Sequence, residues 1–323
     1  MKFYLSKWKI VLALFLSLSA LAACGGDGSS GGGNNVPAAY TGVTTQATIT
    51  ADNAQALAAG AWGGGMASFQ VGEVVPLAVG DGTSAATFPG VLQMAQLLKA
   101  PVVRIDPGAP PAARPSSTDS STMAGDCGGA ASYTLSANDS TGAFVGSITF
   151  NGYCSEGTTL SSRMNVSGQF DPNTSDLTQM SLSFPSLTVS DGSKTATMAG
   201  SVSFTLAADG NGGTEAMDLV LRDSATQKSF WVHNFQASIA SGTDADQVSM
   251  SGRFYDPEDG YVALSTLTPL TIPYAADLPT QGTLLFAGKD NTAARLTFNV
   301  DGALLLVDAD GDGTFEQTIN NPL

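Results

Sequence analysis

Histidine is nearly absent from this chain, cationic side chains are few, and cysteine occurs three times in 323 residues. The single histidine, His233, cannot supply the imidazoles of a His-rich zinc centre, and any Ser-His-Asp triad would have to use it. No G-x-S-x-G elbow joins a predicted strand to a helix, and no G-x-G-x-x-G or Walker-type loop follows a strand. Hydrolase chemistry of the triad kind and nucleotide cofactors are therefore without support. Thirteen Lys and Arg face 28 Asp and Glu, giving a net charge of −15. Such an acidic surface repels phosphate backbones, which excludes nucleic acid as a partner. Charged residues are nevertheless only 13% of the chain, and Phe, Tyr and Trp recur inside alternating segments. Acidic disordered proteins have more charge and fewer aromatics, so most of the chain is expected to fold.

What is present begins at the N-terminus. Lys2, Lys7 and Lys9 form a basic region, and Ile10 to Leu18 an apolar run too short to span a bilayer. Leu21-Ala22-Ala23-Cys24 follows. This resembles the lipobox of bacterial lipoproteins, which implies a signal peptide over 1–23, cleavage before Cys24 and lipidation of its thiol. Without the three leader lysines, ten basic residues would face 28 acidic ones. The residue after Cys24 is Gly25, not the aspartate that commonly retains such proteins in the inner membrane. The resemblance therefore implies a cell-envelope protein, anchored to the membrane by lipid, in the outer membrane where the cell has one. Residues 24–39, rich in Gly, Ser and Asn, read as a flexible tether.

With Cys24 assigned to the lipid, Cys127 and Cys154 are left as one possible pair. An exported compartment permits oxidation, so a structural disulfide is expected. Redox-active pairs usually lie closer together, as in C-x-x-C.

Residues 40–125 are Ala-rich. Thr50 or Asp52 is placed to cap a short helix carrying Ala54, Leu57, Ala58 and Trp62, which Gly63-Gly64-Gly65 would end. A second helix is expected over Val91–Lys99, between Pro89 and Pro101, and Pro107–Thr122 reads as a linker or surface loop. From 126 to 323 period-2 alternation dominates, with turn signals about every ten residues. Strands are expected over 144–150, 164–170, 197–206, 217–221, 230–239, 248–255, 282–287 and 295–300. Turns such as Asp209-Gly210-Asn211-Gly212 and Asp301-Gly302 separate them. The fold class is mainly β: a long antiparallel meander, open and curled or barrel-like, with a short helical N-terminal segment. Its Ser/Thr-rich faces and lack of aromatic girdles argue for a soluble sheet over a membrane barrel. Ser167-Gly168-Gln169-Phe170-Asp171-Pro172 is echoed by Ser251-Gly252-Arg253-Phe254-Tyr255-Asp256-Pro257, and Pro185–Val189 by Pro269–Ile272, a trace of internal duplication.

The best chemical motif is Asp308-Ala309-Asp310-Gly311-Asp312-Gly313-Thr314-Phe315-Glu316. It resembles the calcium loops of EF-hands, dockerins and thrombospondin type 3 repeats, where alternate carboxylates converge on a hard cation and glycine makes the sharp turn. The resemblance implies side-chain ligands from Asp308, Asp310 and Asp312, the Thr314 carbonyl, and Glu316 directly or through water. The twelfth position is Ile319, so the bidentate acid of a full EF-hand is missing. A metal-free Asp/Gly turn between strands 303–307 and 314–319 accounts for the same residues. Among other candidates, His233 on an aromatic-rich strand reads as a packed or surface residue. Glu156, Glu215 and Glu258 read as turn acids, which weakens a carboxylate pair for glycoside hydrolysis. The leading expectation is a non-catalytic binding or structural lipoprotein, with calcium as its one candidate cofactor and an apolar ligand or envelope protein as partner. The rival is an exported hydrolase of glycans or esters.

Overall fold

A computed structural model describes residues 37–71, 116–138, 140–155, 157–172, 176–190, 195–207, 211–276 and 278–323. The signal peptide, Cys24, most of the tether, the 91–99 helix, Glu156 and the 209–210 turn lie outside the described residues. Fourteen antiparallel strands form one sheet in which sequence order is spatial order. They are β1 (Ser116–Ala124), β2 (Gly128–Asn138), β3 (Ala143–Ser155), β4 (Thr158–Phe170), β5 (Leu177–Ser190), β6 (Thr195–Leu206) and β7 (Gly212–Asp223). There follow β8 (Ser229–Ser241), β9 (Ala245–Asp256), β10 (Gly260–Pro273), β11 (Gln281–Ala287), β12 (Ala293–Asn299), β13 (Gly302–Asp308) and β14 (Gln317–Asn320). Each strand pairs with the next in sequence, so no crossover is needed.

Alternation sets the two faces. Phe144, Ile148, Met164, Val166, Leu182, Val202 and Leu305 all point to one continuous apolar core. Their neighbours Ser181, Ser183, Ser201, Thr214 and Ser238 point outward. A lipid-facing barrel has the opposite polarity, apolar outside and polar within. The expected meander is thus present, but with more strands than alternation disclosed. Ser116–Ala124, inside the stretch read as a linker, is strand β1, and β2, β5 and β10 escaped notice. β5 and β10 carry Pro185 and Pro269, which normally argue against a strand. Both sit where the ladder slips, between Phe184 and Leu187 and between Thr268 and Thr271, so no bond is lost. The two copies of the sequence echo occupy equivalent places, the ends of β4 and β9. Phe170 and Phe254 are both buried in the core there, and the extra Tyr255 turns to the outer face.

Helix α1 (Ala54–Val71) lies on the apolar face against β8, β9, β10 and β12. Thr50 and Asn53 cap it reciprocally: Asn53 N–H donates to Thr50 Oγ1 (3.3 Å) and Thr50 N–H to Asn53 Oδ1 (2.8 Å). Of the two expected caps, Thr50 is the one used. The helix does not stop at Gly63-Gly64-Gly65 but continues to Val71. These glycines are buried, and a Cβ on Gly65 would lie 2.8 Å from the Phe235 ring. Burial overrides the low helix propensity of glycine, which here permits close approach to β8.

The chain reaches this helix by a strap over the end of the sheet. Tyr40 packs on Trp231 and Tyr255 of the outer face, with ring centroids 5.7 and 5.9 Å away. Its hydroxyl lies 2.9 Å from the Val43 carbonyl and 3.0 Å from that of Asp256. Burial and the Asp256 carboxylate push its pKa well up, so it remains a donor. Gln46 then bridges Tyr261, Lys289 N–H donates to the Ala47 carbonyl (2.7 Å), and Ile49 N–H donates to Thr292 Oγ1 (2.9 Å). Ile49 thus arrives on the apolar face.

Asp256 sits under this strap. Burial raises its carboxyl above the ordinary 3.8, although the Glu258 and Asp259 amides, donating at 2.8 and 3.1 Å, oppose the shift. A raised carboxylate destabilises the fold above its folded-state pKa, and the penalty vanishes below the unfolded one. Asp256→Asn keeps the Oδ1 acceptor and removes the charge. It is expected to raise the melting temperature at neutral pH, with the gain shrinking as pH falls toward 3.8. Thermal melts across that range check this; a gain independent of pH would trace the effect to something other than titration.

Candidate metal centre and the outer-face cluster

The acidic motif forms the connection between β13 and β14, and it is built by the backbone before any ion is considered. Asp308, the last residue of β13, is 2% exposed, and its two carboxylate oxygens accept from Gly311 N–H (2.8 Å) and Gly313 N–H (3.0 Å). Asp310 Oδ1 accepts from Asp312 N–H (3.2 Å) and Asp312 Oδ1 from Thr314 N–H (2.7 Å). Successive Asx turns therefore coil the loop. Gly311 takes φ +76°, and a Cβ there would collide with the Asp290 carbonyl, so this position requires glycine. Phe315 is pinned beneath the Arg295 guanidinium of β12, 4.5 Å from the ring centroid.

The result is a cluster in which one carboxylate oxygen from each of Asp308, Asp310, Asp312 and Glu316 lies within 4.8 Å of the others. Such a group could hold a metal ion. Each bonded oxygen retains a second lone pair, so the turn bonds and a cation do not compete for the same electrons. Separations of at most 4.8 Å are compatible with a hard divalent cation bound by oxygens at about 2.0–2.6 Å. Gln317, the next residue after Glu316, has a buried Oε1 with no hydrogen-bond partner, a further acceptor close in sequence.

Thr314 lies in the loop, but its observed role is to donate its N–H to Asp312. The strand expected over 314–319 starts only at Gln317, because the Asx turns occupy the preceding residues. Ile319, at the twelfth position, pairs with Leu305 and packs on the apolar core. The residue that replaces the motif's usual last ligand thus serves packing. Cys127 and Cys154 form a disulfide with Cα atoms 5.1 Å apart, tying the β1–β2 turn to the end of β3.

His233 is neither a bare surface residue nor part of a triad. Its Nδ1 lies 2.5 Å from Asp218 Oδ2, and its Nε2 lies 3.0 Å from Asn234 Nδ2. Asp218 and Asn234 occupy both nitrogens, and among the described residues no serine hydroxyl bonds to the imidazole. Asp218 also accepts from Trp231 Nε1 (2.8 Å), and Trp231 stacks on Tyr255 with centroids 4.3 Å apart. Sequence reading missed this outer-face cluster of Asp218, Trp231, Tyr255 and Tyr40. Its one signal is the run Ser229–Val232, where apolar residues fail to alternate because both faces are covered. Glu215, read as a turn acid, instead lies buried within β7; Glu258 is in a turn and pairs with Lys228 (2.9 Å). Compared with protein-family models, curated proteins and solved structures, the chain matches none.

Proposed function

We propose that this chain is a lipid-anchored cell-envelope lipoprotein, held in the outer membrane through Cys24, whose curled sheet serves a non-catalytic binding or structural role. Calcium at Asp308, Asp310, Asp312 and Glu316 braces its C-terminal hairpin. The observation that carries the calcium reading is the convergence of four carboxylates to within 4.8 Å on a loop held by its own amides. Like charges so close repel by about 1 kcal/mol per pair even in water, and a divalent cation converts that cost into attraction. The leader with its lipobox-like Cys24 supports the anchor. The occupation of both His233 nitrogens favours the non-catalytic reading over the hydrolase.

Two variants test the two halves. Wild type is expected in the membrane fraction and labelled by palmitate, whereas Cys24→Ser is expected to lose the label and become soluble. In that soluble form, calcium about tenfold above a sub-millimolar Kd should add about 1.4 kcal/mol of stability. Chelator or Asp310→Ala should remove the gain. A melting temperature indifferent to calcium would leave the loop as a plain Asp/Gly turn.

A further inference from the structure

The outer face of β6–β10 holds a trough of about 540 Å³ that the metal loop and the aromatic cluster do not use. Register builds it as two rungs running across the strands. One rung is Thr205–Thr214–Ser238–Ser249, and the next is Ser203–Ala216–Gln236–Ser251. The far wall is Ser265 and Thr266 of β10. The face is hollow here because the β9–β10 ladder is interrupted between Phe254↔Val262 and Val248↔Leu270, with two more residues on β10 than on β9. Thr266 closes the gap: its Oγ1 accepts from Met250 N–H (2.7 Å) and donates to the Met250 carbonyl (3.0 Å).

Two properties of the lining decide what this trough can hold. Between β1 and β2 outer-face hydroxyls satisfy one another, Thr118 with Ser136 and Thr122 with Ser132, both at 3.0 Å. Within the trough the side chains of Thr214, Gln236, Ser238, Ser249 and Ser251 make no hydrogen bond to the described protein. They form a grid of groups that both donate and accept, spaced by about 4.8 Å across strands and about 6.8 Å along them. The lining is also neutral: its one carboxylate, Glu215, is 2% exposed and belongs to the inward face of β7.

We propose that this trough binds a neutral polyhydroxylated chain, a glycan laid across the strands. This rests on the reading of the protein as a non-catalytic binding module. An apolar ligand would find little to hold it: the one large apolar residue of the lining, Met250, is buried in the core. A protein partner would lack the aromatic or apolar anchors on which interfaces depend. An anionic chain would meet a protein of net charge −15 with Asp218 on the adjoining rung. Neutral hydroxyls match a grid of hydroxyls and one amide.

The test is calorimetric titration of the full exported chain carrying Cys24→Ser with maltohexaose, cellohexaose, chitohexaose and a sulfated heparin hexasaccharide. Expected is saturable binding of at least one neutral sugar, weakened about tenfold in the Gln236→Ala/Ser251→Ala double variant, which deletes two neutral hydrogen-bonding groups. Thr214→Trp, which fills the trough from an exposed position, should abolish binding, while Thr118→Ala, on the outer face of β1 away from the trough, leaves it unchanged. No neutral binding at millimolar sugar, preference for the heparin fragment, or indifference to both trough variants would each overturn the proposal. Cleavage of a bound sugar, read by mass spectrometry, would uphold the trough and overturn the non-catalytic reading instead.

Discussion

Phe254→Ala is expected to cost about 3–5 kcal/mol, the range for removing a buried phenylalanine. Phe254 is 2% exposed and stands where β9 meets helix α1. Its ring stacks on Phe230 with centroids 6.1 Å apart. It also presses against Gly60 so closely that a Cβ there would fall 2.5 Å from the Phe254 Cζ. The truncation leaves a hole between two elements that cannot easily collapse, since the strand is fixed by its ladder and the helix by its cap and strap. Against a total stability of about 5–15 kcal/mol, the loss is large. For a β domain of this size it corresponds to a fall of about 10 °C in melting temperature. Urea denaturation reads it as a lower midpoint at unchanged slope. A loss under about 1 kcal/mol would mean that α1 slides into the vacated space, and that its seat on β9 is not specific.

Breaking the disulfide is the second large perturbation. The bridge spans 27 residues of sequence, for which the chain-entropy model gives about 3.5 kcal/mol. Cys127→Ser with Cys154→Ser should therefore lower stability by about that amount. The effect should also be local in character. The bridge closes the turn between β1 and β2 onto β3, and among the described residues β1 has a neighbouring strand on one side alone. Hydrogen exchange is expected to accelerate first in β1 and β2, ahead of β8–β10, where the sheet is covered by α1. Uniform acceleration across the sheet would show that the fold opens as one unit and that the bridge acts on the unfolded chain alone.

Much of the architecture was readable from local rules. Eight of the strands were visible as alternation, since each has one dry and one wet face. The calcium-like loop was visible because Asx turns are made by residues next to one another, and the structure brings the four carboxylates of that motif together. What local rules hid was whatever depends on distant partners. The proline strands β5 and β10 needed a slipped neighbour to be tolerated. The triple glycine reads as a helix stop until Phe235 of β8 is seen to need the space. The Asp218–His233–Trp231 cluster joins residues on two strands, and its burial depends on Tyr40, nearly two hundred residues earlier.

The sequence by itself therefore determined the class of fold, the core-facing side of the strands that alternate clearly and the residues of the acidic loop. These follow from periodicity and from turn chemistry, which act over a few residues. Only the tertiary structure decided that the meander takes in fourteen strands, that α1 runs on through its glycines, that Ile319 packs on the core, and that a hydroxyl-lined trough opens beside β10. Those outcomes depend on register between strands and on what covers each face, and neither is settled until the whole sheet has assembled.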